Sequence, residues 1–112
     1  MILDHYMYTR DAAALAKYLP IVDLTLEFFR QHYPLRDSAG KMSIHPTQAL
    51  ETYWCGDQDN PMNSTNCLTN DAPTVAGLHA LTERVLGLPQ ALTTATQREH
   101  WSELAAMLPE VL

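Results

Sequence analysis

Basic charge is scarce in this chain of 112 residues: seven Lys and Arg stand against thirteen Asp and Glu, a formal net charge of −6. Nucleic acid calls for a basic face that neutralises phosphates, so it is not an expected partner. An anionic membrane surface is set aside on the same ground. Long apolar runs are missing as well. No stretch approaches the roughly 18 residues of a membrane span. The hydrophobic share of 46% is still ordinary for one globular domain.

The N-terminus, MILDHYMYTRD, has neither the basic start nor the small-residue cleavage site of a signal peptide. As it stands the chain is expected in the cytoplasm. As a piece of a longer parent it would be secreted or periplasmic. Cysteine is limited to Cys55 and Cys67, twelve positions apart. An oxidising compartment would let them staple a loop, and a reducing one would leave them as thiols. Zinc asks for four ligands, or three and a water, and only His45 lies near these cysteines. No metal and no cofactor is expected.

Several motifs are absent. There is no Gly-rich phosphate loop, no nucleophile elbow and no HExxH. Asp57-Gln58-Asp59-Asn60 opens like a calcium loop, but Pro61, Met62 and Leu68 occupy positions where that loop needs a ligand, a glycine and a glutamate. His5, His32, His79 and His100 each fall in helical pattern and read as packing or surface residues. Asn63-Ser64-Thr65 fits the glycosylation sequon, with nothing beside it to indicate a secretory route.

What is present is a set of helical segments around one long polar stretch, residues 34–70. Structureless loops of that length are uncommon in compact domains and usually functional or disordered. This one holds Tyr53, Trp54, both cysteines, His45 and Glu51. Disordered segments are poor in aromatics, so an ordered, site-forming loop is expected.

Ile2, Leu3, Tyr6 and Met7 lie at helical spacing. Asp11 is a natural N-cap for the alanine-rich segment that follows. Pro20 either starts a new helical stretch or kinks a continuing one. Beyond it, Ile21, Leu24 and Phe28 lie on one face and Val22, Leu26, Phe29 and Tyr33 on a neighbouring one. A helix apolar over so much of its circumference asks for burial on two sides. Within the loop, Lys41 to His45 reads as a short strand and Thr47 to Tyr53 as a helical turn capped by Thr47. Asp71 or Asn70 caps the next helix, whose stripe is Val75, Leu78, Leu81 and Val85 and which ends at Gly87 and Pro89. Thr94-x-x-Gln97 is a capping box for a last helix carrying Trp101, Leu104, Ala105 and Leu108. The expected architecture is all-α: helical hairpins with one long ordered loop, in a single domain over residues 1–112.

Two carboxylates stand out. Glu51, between the Pro46 turn and Tyr53-Trp54, would have its pKa raised if partly desolvated, which suits a general acid. Tyr53 and Trp54 would then stack on the apolar face of a sugar ring. The competing reading is a surface Glu beside two core aromatics. Asp71 has a plain structural task as a helix cap. A second role at the mouth of a cleft is open to it, since helix N-termini favour anions and polar ligands.

The order of features resembles the (α/α)6-toroid glycoside hydrolases, nearest to the α-L-fucosidase type and its uncharacterised relatives. The matching elements are His5-Tyr6-Met7-Tyr8-Thr9-Arg10-Asp11, with Arg10 in place of the Gly of a "TGD" turn, then Tyr18-Leu19-Pro20 and Phe28-Phe29. Gly40-Lys41-Met42 and Pro46-Thr47-Gln48-Ala49-Leu50-Glu51 follow, then Thr69-Asn70-Asp71 and a Trp101 helix ending in Leu108-Pro109. The family hydrolyses with inversion, through an acid and an activated water. The resemblance implies that Glu51 is the general acid, that Asp71 lies near the same cleft, and that His45, Tyr53, Trp54 and Asn70 bind carbohydrate. Ala49 and Leu50 depart from the family's pattern, and the loop with Cys55 and Cys67 has no counterpart in it. A full toroid has twelve helices, against four or five here. The chain is therefore expected to be inactive alone, and to need either copies of itself or the missing helices of a longer parent. The alternative is a non-catalytic oligomeric helical protein that binds a small ligand or a protein through loop 34–70.

Overall fold

A computed structural model of the chain describes residues 1–48 and 67–112. The described residues are all-α: α1 (Ile2–Thr9), α2 (Ala12–His32), α3 (Ala72–Leu86) and α4 (Ala95–Met107), with a 3₁₀ turn at Gln90–Leu92. No described helix is long and apolar enough to cross a membrane.

Caps set the helix ends. Asp11 accepts from the Ala14 amide at 2.9 Å and starts α2. Arg10, with φ of 57°, closes α1 in the left-handed region, and its amide donates to the Tyr6 carbonyl at 2.8 Å. Two residues thus suffice to turn α1 into α2. Thr94 and Gln97 form the expected capping box at the start of α4. The far end of α3 is satisfied from α4, because Arg98 donates to the Leu86 carbonyl at 2.7 Å and the Leu88 carbonyl at 3.2 Å.

Pro20 neither starts nor ends a helix; α2 runs through it. A proline at this position leaves the carbonyl four residues earlier without its helical donor. That residue is Ala16, which is exposed, so water can take the place of the missing amide.

α1 packs on α2, α2 on α4 and α4 on α3. An ion pair between Asp4 and Arg84 at 2.6 Å links α1 to α3 and closes the ring of contacts. Each helix contributes a stripe to one core: Leu3 and Tyr6, then Leu15, Leu19, Val22 and Leu26, then Val75, Leu78 and Val85, then Trp101 and Leu104. Trp101 is fully buried at the α2–α4 contact, and its indole N–H donates to Asp23 Oδ1 at 2.8 Å. Among the described residues every buried side-chain polar atom has a partner.

The first part of the long loop is strapped to this core. Asp37 accepts from the Ala39 and Lys41 amides, each at 2.8 Å, and Gly40 takes φ of 77° to complete the turn. Arg36 and Met42 form an antiparallel bridge. The Met42 amide donates to the Met107 carbonyl at 2.7 Å, and Lys41 Nζ donates to the Ala106 carbonyl at 2.8 Å. The strap therefore supplies donors to the last carbonyls of α4. Met42 and Ile44 are fully buried. The alternation expected of a strand over Lys41 to His45 is present, but the segment forms an isolated bridge and no strand.

Candidate functional site

The two ends of the loop meet at the start of α3. Thr47 and Leu68 pair through reciprocal backbone hydrogen bonds of 3.0 and 3.1 Å. Residues 49–66, between Gln48 and Cys67, lie outside the described residues. Thr47 lies in the bridge with Leu68, and its hydroxyl donates to Asp71 Oδ1. The rest of the turn expected up to Tyr53 lies outside the described residues.

Asp71 is buried and holds the junction to the helix. Its Oδ2 accepts from the Thr74 amide at 3.0 Å, the geometry of an N-cap, while Oδ1 takes the Thr47 hydroxyl. Burial pushes its pKa up, but the Thr47 and Thr74 donors outweigh burial and leave it below the ordinary value of 3.8. At neutral pH Asp71 is an ionised acceptor with donors on both oxygens.

Asn70 precedes it with φ of 55°, in the left-handed region that asparagine tolerates better than most residues. Its Oδ1 accepts from the Ile44 amide at 2.7 Å, and its own amide donates to the Ile44 carbonyl at 3.0 Å. Asn70 thus acts as a second clasp between the loop ends. His45 lies on the same junction. Its Nδ1 is 3.2 Å from the Leu68 carbonyl and 2.9 Å from the Thr69 hydroxyl. Nδ1 donates to the Leu68 carbonyl in one tautomer and accepts from the Thr69 hydroxyl in the other.

Of the six residues singled out from the sequence, His45, Asn70 and Asp71 are therefore brought together within one hydrogen-bonded clasp. Glu51, Tyr53 and Trp54 lie outside the described residues, as do Cys55 and the sequon Asn63-Ser64-Thr65. Cys67 is disulfide-bonded, and Cys55 is the only other cysteine in the sequence. Among the described residues no three His, Cys, Asp or Glu side chains gather as a metal site. The sequence reading missed Thr47 as the partner of Asp71. A hydroxyl residue 24 positions from an acid gives no local signal, and only closure of the loop pairs them.

Comparison with known proteins found no matching family model, no matching curated protein and no matching solved structure.

Proposed function

We propose that this chain is a glycoside-hydrolase-like helical unit that engages carbohydrate through the loop between α2 and α3 and does not turn over substrate alone. The observation that carries the reading is the clasp. It fastens both loop ends at the N-terminus of α3, and Glu51, Tyr53 and Trp54 lie between those ends in the sequence. The resemblance of the sequence motifs to the toroid hydrolases supports a place for the same residues in a sugar cleft. In this reading Glu51 is the general acid. Asp71, ionised and already holding two donors, positions the loop and helps shape the cleft. His45 offers Nε2 as a hydrogen-bonding group to a sugar hydroxyl, which can either donate or accept. Tyr53 and Trp54 stack on the ring, and Asn70 fixes the approach of the chain.

The disulfide at Cys67 favours an oxidising compartment, since such bonds rarely persist in a reducing cytoplasm. A secreted or periplasmic setting is thus part of the proposal.

The test is calorimetric titration of the purified chain with a panel of aryl glycosides, α-L-fucosides first, alongside a release assay with the same compounds. Binding without release is expected, weakened roughly tenfold or more by His45→Ala, on the scale of one lost hydrogen bond to a buried polar group. Absence of binding across the panel would refute the proposal. Binding that ignores both His45→Ala and Glu51→Gln would favour the non-catalytic ligand-binding alternative.

A further inference from the structure

The bundle is not filled between α1 and α3. The Asp4–Arg84 ion pair joins the two helices, and beside it a cavity of about 430 Å³ opens between them. That volume falls within the range of small-molecule sites. The floor is apolar and buried: Leu3 and Tyr6 from α1, and Leu88 just beyond α3. Arg84 lines the cavity too, but Asp4 holds its charge at 2.6 Å. Two further charged residues, Arg10 and Glu83, line it and are exposed.

Arg10 is unusual in two ways. Its φ of 57° is the left-handed position on which helices commonly end with glycine, and an L side chain there strains the backbone. It is also the one arginine with no protein acceptor among the described residues. Arg30 and Arg84 are ion-paired. Arg36 donates to the Tyr33 and Leu35 carbonyls, and Arg98 to those of Leu86 and Leu88. The Arg10 guanidinium instead lies 5.6 Å from the centroid of the Tyr6 ring. The cavity floor thus holds a cation whose N–H donors are unused. On the α3 side, the Glu83 carboxylate has no cationic partner among the described residues, Arg10 included. With Asp4 and Arg84 neutralising each other, the cavity presents one cation and one anion around an apolar floor. A complementary ligand carries both charges on an apolar body. A ligand with one charge meets repulsion from the like group and leaves the other without a partner.

We propose that the α1–α3 cavity binds a small zwitterion with an apolar body, the chemistry shared by apolar α-amino acids and apolar dipeptides. The carboxylate goes to the Arg10 guanidinium and the ammonium to Glu83. The apolar group rests on Leu3, Tyr6 and Leu88. This inference is independent of the carbohydrate reading, because it uses no residue of the loop.

The experiment is titration of the isotope-labelled whole chain, followed by amide NMR shifts, with L-phenylalanine, phenylalanyl-leucine, hydrocinnamate and phenethylamine. Hydrocinnamate lacks the ammonium and phenethylamine the carboxylate. The zwitterions should bind with dissociation constants of about 0.1–1 mM, the scale for ligands of this size, and shift the amides of Tyr6, Glu83 and Leu88. Each singly charged analogue should bind at least about tenfold more weakly. Arg10→Gly removes the guanidinium and suits the left-handed turn, so circular dichroism should show helicity unchanged. Zwitterion affinity should then fall about tenfold while phenethylamine affinity holds. Glu83→Gln should weaken the zwitterions and phenethylamine and spare hydrocinnamate. Lys17→Gln, which removes an equal charge on α2 outside the cavity, should leave every affinity unchanged. Tighter binding of phenylalanine than of the dipeptide assigns the site to free amino acids, and the opposite order assigns it to short peptides. No saturable shift with either zwitterion up to about 10 mM overturns the proposal. So does binding that survives Arg10→Gly undiminished, that falls equally with Lys17→Gln, or that prefers a singly charged analogue.

Discussion

Replacing Asp71 by Ala separates two sources of stability that the clasp combines. The first is the N-cap. Loss of an Asp cap costs about 1 kcal/mol, within a range of roughly 0.5–2. The second is the hydrogen bond from the Thr47 hydroxyl to an ionised oxygen, a class worth about 1.5–3 kcal/mol. Asp71 is buried, so solvent does not screen that bond away. Thr47 is half-buried and can regain a water when its partner is gone, which points to the lower end of the second range. Asp71→Ala should thus lower stability by about 3 kcal/mol and the midpoint by about 10–15 °C. Thermal and urea unfolding of the variant, followed at 222 nm, measures it. The partner substitution Thr47→Val tests the reason. If the hydroxyl bond is real, the double variant should fall short of the summed single losses by about 1–2 kcal/mol. Additive losses, or a single loss below about 0.5 kcal/mol, would refute the clasp as the fastening of the loop.

Two further outcomes follow from specific contacts, and one from the direction of the Asp71 pKa. Its folded pKa lies below the ordinary 3.8, so its stabilisation is complete above that value and is lost as pH falls through the folded pKa. The stability gap between wild type and Asp71→Asn should therefore shrink in acid titrations below about pH 4, and a constant gap would contradict the assignment. Trp101→Phe removes the indole donor to Asp23 and should cost about 2–3 kcal/mol; adding Asp23→Leu should recover part of the loss, because paired removal leaves no unsatisfied acceptor. With Cys67 bonded, thiol titration of the unreduced, denatured chain should find no free thiol, and reduction should release the two cysteines the sequence holds.

The helix starts were legible because their chemistry is local. Asp11, Asp71 and the Thr94–Gln97 box each act within three residues, and each cap is formed as its position implies. The core stripes were legible for the same reason, including Trp101 with Leu104. Thr47 also pairs with Leu68 and Asp71 across the loop, contacts with no local signal in the sequence. Met42 and Ile44 alternate as in a strand, but the Met42 amide finds a helix-end carbonyl at Met107 and not a neighbouring strand. Pro20 left open a new start or a continuing helix; α2 continues through it, and the exposure of Ala16 shows how its carbonyl is served. His45, Asn70 and Asp71 lie at one junction of the loop ends, through hydrogen bonds to residues 23 to 26 positions away that local sequence pattern does not reveal.

The clasp and the exposed apolar stripe of α2, formed by Tyr18, Ile21, Leu24 and Phe28, divide the surface by chemistry. At the clasp Asn70 Oδ1 and both carboxylate oxygens of Asp71 are already engaged within the chain. The stripe offers almost nothing polar. The two share no hydrogen-bond partner and no residue. Perturbations of one should therefore leave the other intact: Asp71→Ala should lower stability without changing the exposure of Leu24, and Leu24→Glu should leave the loop ends fastened. If instead Leu24→Glu loosened the clasp, the stripe would belong to the packing of the domain itself, and the demand of α2 for burial on two sides would be met by its own chain.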